Sequence, residues 1–271
     1  MPELPEVETT VRALRPFMEG KRIRRIEVRD PRLRWPVPAD LSRHLDGVRV
    51  RRVVRRAKYI LVETARGTLI VHLGMSGRFR VVHRPEPPKK HEHIDLLMEG
   101  GVILRYADPR RFGCFLWVDG DPAQHALLRE LGPEPWDEAF TADYLHGLSR
   151  RRSAPVKSFL MDNAVVVGVG NIYANEALFE AGVRPGRAAN RVSRDEYRKL
   201  VAAIRRILEA AIRAGGTTLR DFAAGEDKPG YFRVELKAYG RGGEPCQACG
   251  ATLKETRIGG RSTVYCPRCQ S

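Results

Sequence analysis

The chain has 271 residues, of which 42% are hydrophobic, and a formal net charge of +15. This composition excludes an intrinsically disordered chain, and no apolar run is long enough to form a membrane-spanning helix. The N-terminal segment lacks the basic and apolar regions of a secretory signal, so we expect a soluble cytoplasmic protein. The positive charge favours a nucleic-acid partner, although an arginine-rich solvated surface would produce the same balance.

The first half of the chain has the pattern of one helix followed by short strands. Apolar residues at helical spacing predict a helix over 3–18. Eight short β segments follow, separated by Gly, Pro or charged turns, and this spacing predicts an antiparallel β-sandwich or barrel. The predicted strands are 23–29, 48–56, 59–63, 67–73, 78–82, 94–98, 101–106 and 114–118.

The second half is predominantly helical. Its clearest helix is predicted over 193–214, because Ser193 and Glu196 form a capping box and Gly215 can end the helix. Residues 217–235 are predicted to be a mobile loop. Shorter helices are predicted over 124–131, 141–148, 156–162 and 171–182. We therefore expect an α+β multidomain protein with a sandwich over 1–121, a helical domain over 122–236 and a zinc module over 237–271.

Four of the five cysteines lie close to the C-terminus. They form two C-x-x-C pairs separated by 16 residues, a spacing typical of a structural zinc site with four thiolate ligands. A redox C-x-x-C pair is the alternative, but neither pair lies on a βαβ unit. We expect one Zn²⁺, which folds a basic hairpin able to reach a DNA backbone. The four proposed ligands are Cys246, Cys249, Cys266 and Cys269.

Several separated motifs resemble one enzyme family from residue 2 to the end of the chain. They are PELPEVET at 2–9, HLGMSG at 72–77, DPRRFG at 108–113, VGVGNIYANEALF at 167–179, KPGYF at 228–232 and the cysteine-rich end. In order and spacing they resemble the bacterial formamidopyrimidine-DNA glycosylases. The resemblance implies a helix–two-turn–helix domain and a bifunctional base-excision repair enzyme with glycosylase and AP lyase activities.

The resemblance assigns the chemistry to the start of the chain. Removal of Met1 exposes the amine of Pro2, which attacks C1′ of the sugar and forms a Schiff base that allows β- and δ-elimination. Glu3 is then a proton donor and Glu6 supports the geometry. Without the other motifs, we would interpret Pro2 as a residue that starts the helix and the two glutamates as residues that stabilise the helix dipole. Lys58 and Arg261 match the family residues that aid elimination at the phosphates.

The same resemblance implies that the damaged nucleotide leaves the duplex and that side chains fill the gap. Met75, Arg110 and Phe112 match this void-filling set, with Arg110 bonded to the orphaned cytosine. Core positions are the alternative for Met75 and Phe112. Further residues match DNA contacts of the family: His72, His91, Arg152, Lys157, Asn171 and Tyr239.

These assignments define the expected substrate and leave rival functions open. We expect a monomer that acts on 8-oxoguanine and formamidopyrimidines in duplex DNA, preferably opposite cytosine. A relative of endonuclease VIII that excises oxidised pyrimidines and a noncatalytic zinc-dependent DNA-binding protein are the alternatives. His91 and His93 share a strand face and could bind a metal, but no third ligand is evident. Cys114 reads as a buried small hydrophobic residue.

Overall fold

The computed structural model describes residues 2–215 and 236–271. These residues divide into two compact units, one comprising residues 2–129 with 215 and the other residues 130–214 with 236–271. In the described part of the chain, no helix has both the length and the apolar character needed to cross a membrane. The predicted loop over 217–235 lies outside the described residues.

The first unit is an N-terminal helix followed by eight strands, as predicted. The helix α1 (Leu4–Met18) buries one apolar face, and each buried aliphatic side chain contributes about 1.5–3 kcal/mol relative to exposure. A five-residue helix α2 (Leu41–Leu45) was not predicted, because it is too short to show a periodic pattern. The strands are β1 (Arg22–Val28), β2 (Val48–Arg56), β3 (Tyr59–Thr64), β4 (Thr68–His72), β5 (Arg78–Val82), β6 (Glu92–Met98), β7 (Ile103–Ala107) and β8 (Cys114–Val118).

The eight strands form one antiparallel sheet in the order β5-β7-β6-β1-β2-β3-β4-β8. β1 and β2 share only two residue pairs, so the sheet is narrow at its centre and its two halves can fold over each other. The Phe115 ring on β8 lies 4.8 Å from the Tyr106 ring and 6.1 Å from the Phe79 ring on the other half. The two halves therefore enclose a shared aromatic core, which confirms the predicted sandwich.

The second unit contains four helices and a two-stranded hairpin. The longest helix begins with the predicted capping box: Ser193 Oγ accepts the Glu196 N–H, and the Glu196 carboxylate accepts the Ser193 N–H at 2.8 Å. Zinc-module residues pack with Phe179 in one apolar cluster inside this unit. The elements are α3 (Ala142–Ser149), α4 (Val156–Leu160), α5 (Asn171–Glu180), α6 (Arg194–Arg213), β9 (Lys254–Ile258) and β10 (Arg261–Tyr265).

The prediction of a helix over 124–131 is wrong. A 3₁₀ turn, Pro122–Gln124, stands at its start, and turns continue to residue 130. A periodic stretch of eight residues is too short to sustain a helix without tertiary packing, and Leu128 is the one buried residue among these eight.

Candidate active site, duplex-opening loops and zinc ribbon

The start of α1 holds the predicted catalytic residues. Pro2 is partly exposed and directly precedes Glu3, which is only 2% exposed. The Glu6 carboxylate accepts the Glu3 N–H at 2.9 Å, an N-terminal contact that fixes the backbone following Pro2. A buried carboxyl group is therefore adjacent in sequence to the residue whose amine the chemistry requires.

The predicted elimination lysine lies at the two-residue turn between β2 and β3. Arg55 connects this turn to α1: its Nε lies 3.2 Å from a Glu8 carboxylate oxygen, and its Nη1 donates to Ala57 O at 3.0 Å. Both side chains of this ion pair are largely buried, so water screens it less than a surface pair. Sequence reasoning missed Arg55, because nothing distinguishes it from the neighbouring arginines of β2.

Ala57, the first residue of this turn, adopts the left-handed region with φ of 53°. This conformation costs an alanine about 1 kcal/mol, whereas glycine adopts it without strain. The turn that presents Lys58 therefore contains a strained backbone residue.

His72 ends β4 and is held as a neutral ring. Its Nδ1 accepts the Gly74 N–H at 2.9 Å, so the ring proton of the neutral form resides on Nε2. Burial, with the nearby charges of Lys58 and Arg34, lowers the pKa of His72 to about 4. At neutral pH the Nε2–H is therefore a fixed donor suited to a phosphate oxygen.

Met75, Arg110 and Phe112 lie on two neighbouring loops and are exposed to solvent. Met75 is 39% exposed and Phe112 42% exposed, so the alternative of core positions is wrong for both. The Arg110 guanidinium carbon lies 5.0 Å from the centre of the Phe112 ring, within the range of a cation–π contact. Two large apolar side chains beside an arginine form a surface suited to contacting bases.

His91 has a φ of 71° at the start of β6, and its ring centre lies 6.2 Å from that of His93. His93 is buried and its Nε2 lies 3.0 Å from the Asp108 carbonyl oxygen, so this ring donates a hydrogen bond. Within residues 2–215 and 236–271, the one group of three or more metal-ligating side chains is the cysteine cluster. The metal alternative for the two histidines therefore gains no support.

The four C-terminal cysteines converge as predicted. Their sulfur atoms all lie within 4.8 Å of one another. The Cys246 and Cys269 sulfurs are 4.0 Å apart, and the Cys249 and Cys266 sulfurs are 3.5 Å apart. Four thiolates about 2.3 Å from one Zn²⁺ in a tetrahedron have sulfur–sulfur distances of about 3.8 Å, so the cluster fits that ion. Both separations exceed the length of a disulfide bond.

Between the cysteine pairs, β9 and β10 form the predicted basic hairpin with Gly259 and Gly260 at its tip. Arg261 is exposed directly after this tip. The next residue, Ser262, has a carbonyl oxygen that accepts from Asn171 Nδ2 at 3.1 Å and from Lys157 Nζ at 2.8 Å. Two residues of the helical segment thus fix the backbone beside Arg261.

Lys157, an expected phosphate contact, is bonded to protein acceptors on the hairpin. This lysine is completely buried, and its Nζ also donates to Thr263 Oγ1 at 2.7 Å. A buried ammonium group satisfied by protein acceptors supports the hairpin instead of presenting a charge to a ligand. Arg152 is exposed and Tyr239 partly exposed, as contacts with DNA require.

Glu176 on α5 is a second residue that sequence reasoning missed. It is 5% exposed, and its carboxylate accepts the backbone N–H groups of Lys237, Ala238 and Tyr239 at 2.7–2.9 Å. These bonds fix the segment that carries Tyr239. A glutamate within an apolar helix was the available signal, but it did not indicate what the carboxylate binds.

The first unit is a β-sandwich that begins with Pro2 and the buried Glu3, and the second unit combines helices with a four-cysteine ribbon. This combination defines a class of DNA-processing protein, and the comparisons identify its family. The formamidopyrimidine-DNA glycosylase N-terminal domain matches residues 1–115. The H2TH domain of the same enzymes matches residues 131–223, and the zinc finger found in FPG and IleRS matches residues 243–271. The chain belongs to the formamidopyrimidine-DNA glycosylase family.

Full-length relatives agree with this assignment. The formamidopyrimidine-DNA glycosylase of Stutzerimonas stutzeri (strain A1501) is 60% identical over 270 residues, covering 100% of both chains. A MutM structure in complex with DNA containing carbocyclic 8-oxo-G is 33% identical with a TM-score of 0.89. Lactococcus lactis Fpg in complex with DNA containing an abasic site is 33% identical with a TM-score of 0.90. Both structural matches cover 100% of each chain.

Proposed function

We propose that this chain excises oxidised purines, 8-oxoguanine and formamidopyrimidines, from duplex DNA with Pro2 as nucleophile. The observation that carries this assignment is the start of α1, where Pro2 precedes the buried carboxyl group of Glu3. Family membership supports the reaction class, base-excision repair by a DNA glycosylase that also cleaves the strand.

The reaction begins when removal of Met1 leaves Pro2 as a secondary amine. Its nitrogen attacks C1′ of the sugar while the C1′–base bond breaks, and the departing base takes the proton that the Pro2 amine gives up. Glu3 supplies a proton as the sugar ring opens, and the product is an iminium ion between Pro2 and C1′. An α-amino group is neutral at pH 7 far more often than a lysine, because its pKa lies roughly 2.5 units lower.

Strand cleavage follows from the iminium. Loss of the C2′ proton expels the 3′ phosphate, and a second elimination expels the 5′ phosphate. Lys58, on the turn connected to α1 by the Arg55–Glu8 ion pair, and Arg261, on the ribbon hairpin, assist these departures by charge. Glu6 keeps the start of α1 in place through its bond to the Glu3 N–H.

The remaining assigned residues bind the DNA. Met75, Arg110 and Phe112 fill the gap left by the everted nucleotide, and Arg110 hydrogen-bonds the orphaned cytosine. The phosphate backbone is bound by donors on both units. We assign these contacts to His72, His91, Arg152, Asn171 and Tyr239, and reassign Lys157 to hairpin support.

One Zn²⁺ bound by Cys246, Cys249, Cys266 and Cys269 fits the ribbon. When bound, it supplies structural rigidity, because four protein thiolates leave no position for water activation. These cysteines hold the base of the hairpin, while Lys157 and Asn171 fix the backbone beside Arg261. We also infer that the protein acts as a cytoplasmic monomer.

Duplexes that differ only in the lesion test the proposed substrate. The protein is incubated with 8-oxoguanine opposite cytosine, 8-oxoguanine opposite adenine, oxidised thymine opposite adenine, and undamaged DNA. Excision and nicking of the first duplex above the others supports the proposal. Stronger cleavage of the oxidised thymine duplex identifies an enzyme for pyrimidines, and binding without any excision identifies a noncatalytic protein.

A further inference from the structure

We propose that Asp108 is a positioning residue. It fixes the duplex-opening side chains, Met75, Arg110 and Phe112, relative to one another. This inference rests on the proposed roles of Met75, Arg110 and Phe112. Asp108 stands in the DPRRFG segment and has no exposed surface. Nothing in the residue pattern distinguishes it from an ordinary turn aspartate, so its role follows only from its contacts.

The Asp108 carboxylate joins the two loops that carry the duplex-opening residues. One oxygen accepts the Ser76 hydroxyl at 2.6 Å, and Ser76 lies next to Met75. The other oxygen accepts the Gly113 N–H at 2.8 Å, and Gly113 follows Phe112. One oxygen thus binds the side chain next to Met75, and the other binds the backbone next to Phe112.

Arg110 is fixed by the same network. The Ser76 hydroxyl that donates to Asp108 also accepts the Arg110 N–H at 3.1 Å. A hydroxyl group can perform both roles at once, because it has one proton and two lone pairs. The chain of bonds therefore runs from Asp108 through Ser76 to the backbone of the residue assigned to the orphaned cytosine.

The Asp108 backbone extends the network to a third segment. Its N–H donates to the His91 carbonyl at 3.0 Å, and its own carbonyl accepts from His93 Nε2 at 3.0 Å and from the Arg111 N–H at 3.2 Å. The position of His91, an assigned DNA contact, thus depends on the same residue as the positions of Arg110 and Phe112.

The two loops are also in direct backbone contact. Gly74 has a φ of 63°, and a Cβ added there would overlap the backbone of Phe112 and Gly113. A Cβ added at Gly113 would overlap the hydroxyl of Tyr106, which donates to Asp108 at 3.2 Å. The loops therefore fit together in only a narrow range of arrangements, and Asp108 lies at their junction.

A carboxylate suits this task better than a neutral side chain. The hydrogen-bond partners described for its oxygens are two hydroxyls and one N–H group, all of them donors. A carboxylate accepts on both oxygens, whereas an amide at this position must present a donor to one of these groups. Burying a carboxylate is costly, and its retention here fits a role in specifying one loop arrangement.

Asp108→Asn tests the proposal on two substrates with the full-length, zinc-loaded protein. The first is 8-oxoguanine opposite cytosine in duplex DNA, where a nucleotide must leave the stack. The second is an abasic site in single-stranded DNA, where no gap has to be filled. Ser76→Ala is a milder variant that breaks the link to Arg110, and Asp40→Asn, at an exposed carboxylate of the same unit, is the matched control.

The proposal predicts a loss specific to the duplex. Asp108→Asn lowers kcat/KM on the duplex about tenfold or more, while strand cleavage at the single-stranded abasic site stays within about twofold of the wild type. Ser76→Ala shows a smaller loss in the same direction, and Asp40→Asn shows none. Full duplex activity of Asp108→Asn, or equal losses on both substrates, overturns the proposal, since equal losses identify a general structural role.

A double-mutant cycle separates this inference from the function on which it rests. If Asp108 acts through the Met75 loop, the duplex losses of Asp108→Asn and Met75→Ala are less than multiplicative in the double variant. Multiplicative losses overturn the positioning role and leave the proposed function intact. A wild-type protein that fails to excise 8-oxoguanine, or a Met75→Ala variant with full duplex activity, instead contradicts the proposed function.

Discussion

His72→Asn changes the pH dependence of stability in a way that the structure determines. The asparagine Oδ1 can take the place of Nδ1 and accept the Gly74 N–H, so the loop after β4 keeps its local bond. The substitution removes the titrating ring and its Nε2–H donor. The His72 pKa is lowered from 6.5 to about 4, first by burial and then by the charges of Lys58 and Arg34.

The sign follows from which state binds the proton. Well above pH 6.5 the ring is neutral in both the folded and the unfolded chain, so it contributes nothing to the pH dependence. Between pH 6.5 and 4 the unfolded chain binds a proton that the folded chain does not, and the folded state loses stability as the pH falls. With pKa values of 6.5 and about 4, the loss is about 2 kcal/mol at pH 5 and about 3 kcal/mol below pH 4.

Urea unfolding of both proteins between pH 7.5 and 4.5 measures this effect. All other titrating groups are shared, so they cancel when the two pH profiles are subtracted. We expect the free energy of unfolding of the wild type to fall by about 2 kcal/mol more than that of His72→Asn between pH 7.5 and 5. Parallel profiles would refute the assignment of a buried neutral His72. Separately, the variant should bind DNA more weakly at pH 7.5, since it lacks the proposed phosphate donor.

Three further predictions concern the ribbon and the Lys58 turn. Removing the metal with a chelator should abolish DNA binding, while hydrogen exchange should show that the first unit stays folded. Full activity of a zinc-free sample would contradict the role of the ribbon. Lys157→Met should destabilise the second unit by about 2–3 kcal/mol in urea and weaken DNA binding, whereas Lys199→Met at an exposed site should do neither. Ala57→Gly should change the stability of the first unit by less than about 0.5 kcal/mol, because relief of the left-handed φ offsets the lost methyl burial and the greater entropy of the unfolded chain; a loss well above about 1 kcal/mol would contradict strain at Ala57.

Much of the fold could be predicted because its elements have clear periodic patterns. The eight strands, α1, the capping box at Ser193 and the ribbon hairpin all carry local signals that the structure confirms. The prediction of a helix over 124–131 failed, because helical spacing over only eight residues does not distinguish a helix from turns.

Some features of the candidate site could likewise be predicted from the sequence, and others could not. Cysteine spacing predicted a cluster that the structure assembles, because ligand spacing is a local property. The burial of Lys157 could not be predicted, because a basic side chain in a DNA-binding chain gives the same sequence signal whether it is buried or exposed. The networks of Arg55, Asp108 and Glu176 depend on partners distant in sequence, so only the structure revealed them.

The central claim is a covalent bond between the amine of Pro2 and the sugar of the damaged nucleotide. Borohydride reduction during reaction with an 8-oxoguanine duplex, followed by protease digestion and mass spectrometry, tests it directly. The account predicts a protein–DNA adduct on the N-terminal peptide of a chain that lacks Met1, attached at Pro2. An adduct attached to a lysine such as Lys58, or strand cleavage without any reducible adduct, would contradict it.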